Sequence, residues 1–140
     1  MEYCRFGDKL LVRIDRGEEI ISNLMEVVKK ENISLASVSA LGAVGYFKVG
    51  VYSVEEKKYY SNEFRGEYEI TSLYGTVTTM NDLPYIHLHF SAGDKSGAVY
   101  GGHLNEAVVC ATCEMVIDVI NGKIDRFKDE EVTGLNLFKF

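Results

Sequence analysis

The chain has 140 residues, 46% hydrophobic and 26% charged, which suits one domain with a real hydrophobic core and excludes disordered, collagenous or low-complexity classes. Its 21 acidic and 15 basic residues give a net charge of −6, and no basic block exceeds a lysine pair, which argues against a sequence-independent grip on nucleic-acid phosphates. The longest uncharged run, Asn32 to Phe47, is too short and too rich in Ser and Gly to cross a bilayer, and "MEYCRFGDKLLVRID" lacks the apolar stretch of a signal peptide, so a cytoplasmic location without membrane contact is expected.

In chain order, a first strand is expected over Lys9 to Ile14. The stretch "DRGEEIISNLMEVVKKEN" then places Ile20, Ile21, Leu24, Val27 and Val28 on one face at helical spacing. Asp15 is the expected N-cap, with Glu18 three residues on. Glu18 and Glu19 fall in the first turn and Lys29 and Lys30 in the last, which complements the helix dipole. Everything after the helix reads as β. "ISLASVSALGAVG" is a small-residue strand running into a bend at Gly42 and Gly45. "YFKVGVYSV" and "KKYYSNEF" flank a hairpin turn at Glu55–Lys57, and "EYEITSLYGTVTTM" is a long strand with Gly75 at a bulge or close-packing point. "PYIHLHFSA", the turn "GDKSG", "AVYGGHL" and "AVVCATCEMVIDVI" follow, and the apolar tail "TGLNLFKF" is expected to dock. Without βαβ alternation the sheet should be mainly antiparallel. The fold class is therefore α+β, one domain over residues 1–140 with a β-sheet packed against one main helix. Cys4, Cys110 and Cys113 read as ordinary free thiols. The two in "CATC" are three apart on a strand and point to opposite faces.

All three histidines fall between His87 and His103. In the strand "YIHLHFS", Tyr85, His87, His89 and Ser91 share one face, and Ile86, Leu88 and Phe90 share the other, which belongs to the core. Two imidazoles then project together, roughly 7 Å apart along the strand by rise alone. A loop at Asp94–Lys95–Ser96 would set Gly93 against Gly97 and His87 against His103, while a bulge at Gly101–Gly102 would reset that count. Three His ligands with an open fourth position are the usual composition of a catalytic or exchangeable zinc site, and other divalent metals accept imidazole too. Glu114 and Asp118 are candidates for a closing fourth ligand. The alternative is a set of half-buried polar residues with no ion.

Together these residues resemble a known family. "LPYIHLHFSAGDKSGAVYGGHL" resembles the signature of the plants-and-prokaryotes conserved (PPC) domain: Pro, His-x-His, an acidic Gly turn, then Gly-Gly-His-Leu. "RIDRGEEIISNLMEVVKKENISLASVSALGAVG", "GEYEITSLYGTV" and "DEEVTGLNL" are similar to its opening, middle and closing segments. The resemblance implies an antiparallel sheet against one helix, assembled as a homotrimer and distantly like acetolactate decarboxylase. It also implies a metal role for His87, His89 and His103. Plant members follow AT-hooks, whose Arg-Gly-Arg-Pro core is missing here, so DNA association rests on family analogy alone. Three functions follow as expectations. The first is a trimeric protein that binds a divalent metal, zinc first, in a regulatory or interaction role. The second is a zinc enzyme acting on a small molecule, with Glu114 or Tyr85 as acid–base or orienting group. The third is a DNA-associated protein.

Overall fold

The computed structural model describes residues 1–140. The chain runs β1 (Glu2–Phe6), β2 (Lys9–Asp15), α1 (Ile20–Lys30), β3 (Ala36–Ser53), β4 (Lys58–Met80), β5 (Leu83–Gly93), β6 (Val99–Val119), β7 (Asp125–Lys128) and β8 (Asn136–Lys139). In α1 the apolar stripe is as expected: Ile20, Leu24, Val27 and Val28 are fully buried. The cap differs. Glu19 is the N-cap, its carboxylate accepting from the backbone N–H of Ile21 at 2.9 Å and Ser22 at 2.6 Å. Asp15 cannot serve because it is still paired with Thr112 as the last residue of β2. The chain then turns at Gly17, whose φ of +87° favours glycine, and Glu18 reaches back to the Asp15 N–H before the helix begins. The first turn therefore holds no acid, while Lys29 and Lys30 close the last turn as expected. Glu19 also accepts from Ala107 N–H at 3.2 Å, so the carboxylate that starts the helix also fastens it to β6.

Strand pairing is antiparallel throughout, except for one parallel pair, Thr79 with Asp125. Strands β3, β4, β5 and β6 form a closed ring: β3 pairs with β4, β4 with β5, β5 with β6, and β6 with β3. The β1–β2 hairpin extends the sheet beyond β6, and the β7–β8 hairpin hangs on β4. Ring closure explains why the strands are longer than their sequence segments. The expected bend at Gly42–Gly45 lies inside β3, where register shifts at Ala40/Gly42 and Val44/Tyr46 curve the strand without ending it. Likewise "AVYGGHL" and "AVVCATCEMVIDVI" are one strand, β6. The hairpin turn at Glu55–Lys57 is present, with Lys57 at φ +49°.

Three further details depart from or refine the sequence reading. Strand β1 was not anticipated; its residues are mostly exposed, so no apolar alternation marks it. The tail docks through β8 against β7, although Phe140 itself is 99% exposed. Gly75 is a close-packing point with regular register: a Cβ there would come within 2.8 Å of the Leu88 Cα. The core fills the ring around Phe47, which stacks on Phe64 at 4.8 Å and touches Phe90 and Tyr68 at 5.1 Å. Cys4, Cys110 and Cys113 are free thiols. Cys113 is buried and its thiol is pushed up to about 12 by that burial, which leaves it an inert core residue, while Cys110 faces the other way and is half-buried.

Candidate metal centre

Strand parity separates β5 into the two expected faces. Leu88 and Phe90 are buried in the ring, with Ile86 packed against it, and His87 and His89 project outward. The β5–β6 hairpin brings in the third imidazole, in a register different from the expected one. The three-residue loop is Lys95–Ser96–Gly97, displaced by one position from Asp94–Lys95–Ser96. Gly93 consequently pairs with Val99, and His103 faces His89, not His87. Two local features set the displacement. Gly97 has φ +85°, the left-handed place that closes such a loop. The Asp94 carboxylate accepts from Ser96 N–H at 2.8 Å, the Ser96 hydroxyl at 2.6 Å and Ala98 N–H at 3.1 Å, and so braces the turn from its first flank. Moving the loop by one shifts the pairing by two, so His103 keeps its face.

Gly101 and Gly102 hold no bulge on the β5 side. Their role is close approach. A Cβ on Gly101 would lie 2.7 Å from Ser91 Cβ, and one on Gly102 would lie 2.6 Å from the Gly50 carbonyl oxygen. The strand carrying His103 is thereby pressed between β5 and β3.

The three rings meet. Centroids are 5.3 Å apart for His87–His89, 5.0 Å for His87–His103 and 6.0 Å for His89–His103. One nitrogen from each can be chosen so that all lie within 4.8 Å of one another, and no carboxylate or thiol belongs to the cluster. His87 and His103 are half-buried and His89 is exposed. Burial lowers the His87 pKa to about 4, helped by the positive charge that His103, Arg126 and His89 can carry, and burial lowers His103 in the same direction. Three imidazole nitrogens this close together, two of them on rings that burial biases toward the neutral form, are a donor set that a borderline-soft divalent ion accepts, so the residues fit the ion.

Glu114 and Asp118 lie elsewhere. Both are on β6 itself, toward its far end from His103: Glu114 pairs with Arg13 and Leu41, and Asp118 binds Lys9 at 2.8 Å. They looked adjacent because β6 read as two strands. Tyr85 does share the histidine face, and its hydroxyl accepts from Asn136 Nδ2 at 3.1 Å.

The surroundings contain groups that the sequence did not mark. Tyr59 sets its ring edge-on to His103 at 6.3 Å and donates to Asn105 Oδ1 at 2.6 Å. Tyr74 stands opposite His89, and Thr76 opposite His87. Arg126 of β7 is 6% exposed and lies over the Tyr85 ring at 4.7 Å. In "KIDRFKDEE" it looks like one more surface charge. A groove of about 1010 Å³ lies away from this face, lined by Tyr3, Cys4, Leu11, Leu41 and Val116 among others.

The fold and site thus define a class: a ring-closed antiparallel β-domain, braced by one helix, with a His-x-His strand and a third histidine gathered on its outer face. The chain belongs to the Plants and Prokaryotes Conserved domain family (PCC, also written PPC), whose model matches residues 1–121. No functionally curated protein matches the sequence. Among solved structures, the chain is similar to a proposed DNA-binding protein from Bacteroides thetaiotaomicron, with 29% identity, 99% of this chain and 96% of the other covered, and a TM-score of 0.96. It is also similar to a metal-containing protein from Archaeoglobus fulgidus, with 34% identity over 99% of this chain and 97% of the other and a TM-score of 0.87. The α-acetolactate decarboxylase of Bacillus subtilis shares the fold alone, with 16% identity, 83% of this chain and 54% of the other covered, and a TM-score of 0.61.

Proposed function

We propose that this chain is a metal-binding PPC-domain protein that holds one divalent ion, zinc first, through His87, His89 and His103, and that it works as a homotrimer in a regulatory or interaction role. The observation that carries the reading is the convergence of three imidazole donors within 4.8 Å on two paired strands. The metal-containing relative from Archaeoglobus fulgidus supports it. Bound zinc would supply Lewis acidity and an open coordination position. The protein's own contribution is to fix the ring positions by strand pairing and to keep a carboxylate out of the donor set. Elemental analysis of the purified protein should find close to one transition metal per chain, and anomalous scattering should place it among the three rings. A metal-free protein that takes up no zinc on dialysis would refute the assignment.

Assembly is supported by the apolar groove, whose lining residues Leu11 and Leu41 are 50% and 60% exposed in the isolated chain. Light scattering is expected to return three chain masses; a single chain mass would contradict it. The enzyme alternative retains Tyr85 but loses Glu114, which is remote from the histidines. The DNA-binding description of the Bacteroides relative has weaker support in this chain, whose charge is −6.

A further inference from the structure

Arg126 is a buried cation without an acid. Its Nε donates to Thr78 Oγ1 at 2.8 Å and its Nη1 to the Asn136 carbonyl at 2.7 Å, both neutral acceptors. Nη2 has only a long contact to Thr76 Oγ1 at 3.4 Å. No carboxylate lies within 4.0 Å of the guanidinium, since Arg126 makes no ion pair. The neighbouring Asp125 does not serve: strand alternation turns it to the other side of β7, where its Oδ1 is buried without a hydrogen-bond partner. A buried arginine is normally matched by a carboxylate or phosphate, because an uncompensated charge in the interior is strongly unfavourable.

The position of this charge is specific. The ring of Tyr85 covers one side of the guanidinium at 4.7 Å and the ring of Phe138 lies against it at 4.5 Å, so what is left for a ligand is the guanidinium edge. Nη2 marks that edge at Thr76, which stands directly opposite His87 in the β4–β5 register. Tyr85 precedes His87 on the same face of β5. A guanidinium with unspent N–H donors therefore adjoins the histidine cluster.

We propose that Arg126 is an anion-binding residue: the ligand taken at the histidine centre is a small carboxylate, with one oxygen directed to the ion and the other to Nη of Arg126. The inference rests on the metal reading above and goes further by naming the class of ligand. Arg126, Asn136 and Phe138 lie on the C-terminal β7–β8 hairpin, beyond residue 121 where the family model's match ends. Planar carboxylate suits the guanidinium fork, whereas a neutral ligand would leave the charge unmatched.

The test uses the full-length protein loaded with Co²⁺, whose visible absorption reports its coordination, and oxalate as the probe. Oxalate should perturb the spectrum, with affinity lowered at least 10-fold in Arg126→Met and by a smaller factor in Arg126→Lys. Co²⁺ uptake should be unchanged in both variants. Arg126→Met replaces a buried cation with an apolar side chain of similar length, which folded proteins commonly tolerate. Imidazole, a neutral probe, should bind all three proteins equally. A second arm needs no metal: in the metal-free protein, oxalate should shift the NMR signal of the Arg126 Nε–H. Failure of Co²⁺ to load, with the Nε–H shift intact, would remove the metal reading and leave the anion subsite standing. Equal oxalate affinity in wild type and Arg126→Met, or no Nε–H response to oxalate, would overturn the proposal.

Discussion

Replacing His87, His89 or His103 singly with alanine is expected to lower zinc affinity by at least on the order of 100-fold, since loss of mere outer-shell partners already costs 10–100-fold. The three substitutions should not be equal. His87 sits at the junction of the other two, with centroid distances of 5.3 and 5.0 Å, and is half-buried, whereas His89 is exposed. His87→Ala should therefore be the most severe and His89→Ala the most readily compensated by water. Competitive chelator titration checks the order, and three variants that keep wild-type affinity would sink the site. Acidity provides a second reading of the same residue. The folded-state pKa of His87 is about 4, lowered first by burial and then by positive neighbours, against 6.5 for an unperturbed imidazole. Between those values the unfolded chain binds more protons than the folded one. The part of the metal-free protein's stability that depends on His87 being neutral is thus fully present above about pH 6.5 and is lost progressively toward pH 4. His87→Asn should flatten that slope in thermal melts, and an unchanged slope would show that His87 is not the responsible group.

How much of this could be read from the sequence is clearest at the hairpin. Parity in "YIHLHF" separates ligand face from core face without any tertiary information, because side-chain alternation is local. The register was not local. It depended on where the loop sits in "GDKSG": the expected loop, Asp94–Lys95–Ser96, left both glycines in the flanking strands, whereas the structure puts Gly97 in the loop at φ +85°, with Asp94 bracing the turn. The three-histidine patch survived because the error was even. The helix face was legible for the same reason as the strand faces, while its cap was not, since Asp15 is claimed by pairing with β6, a contact distant in sequence. Glu114 failed as a candidate ligand because "AVYGGHL" and "AVVCATCEMVIDVI", parted by the polar pair Asn105–Glu106, read as two strands where the chain continues as one. Arg126 was invisible for a different reason. Its meaning lies in burial between Tyr85 and Phe138, and a charged residue in a charged segment gives no sign of burial.

Gly102→Ala is expected to destabilise the protein by about 3 kcal/mol, the upper end for overpacking, and to weaken zinc binding with it. The new Cβ would stand 2.6 Å from the Gly50 carbonyl oxygen and 3.2 Å from Gly50 C and N. These are backbone atoms, which cannot rotate aside as a side chain would. Gly50 in turn cannot retreat freely, since it lies against the backbone of Tyr60 and the ring of Tyr59. The strain must therefore be relieved by moving β6 away from β3. On the other side, Gly102 pairs with Phe90, whose side chain is in the core, so β5 resists the displacement. His103 is the next residue, and any shift of β6 moves its imidazole relative to His87 and His89, which are fixed to β4 by their own pairing. Gly122→Ala is the matched control. There the added methyl meets only Leu35 Cδ2 at 3.6 Å, ordinary contact, and the change should stay within about 0.5 kcal/mol. Denaturant unfolding and zinc titration of the two variants measure both effects. If Gly102→Ala unfolds at the wild-type midpoint with wild-type zinc affinity, then the close approach of β3 to β6 does not hold the third histidine in place. If stability falls but affinity does not, strand packing and ligand geometry are independent, and the three rings find one another by side-chain rotation alone.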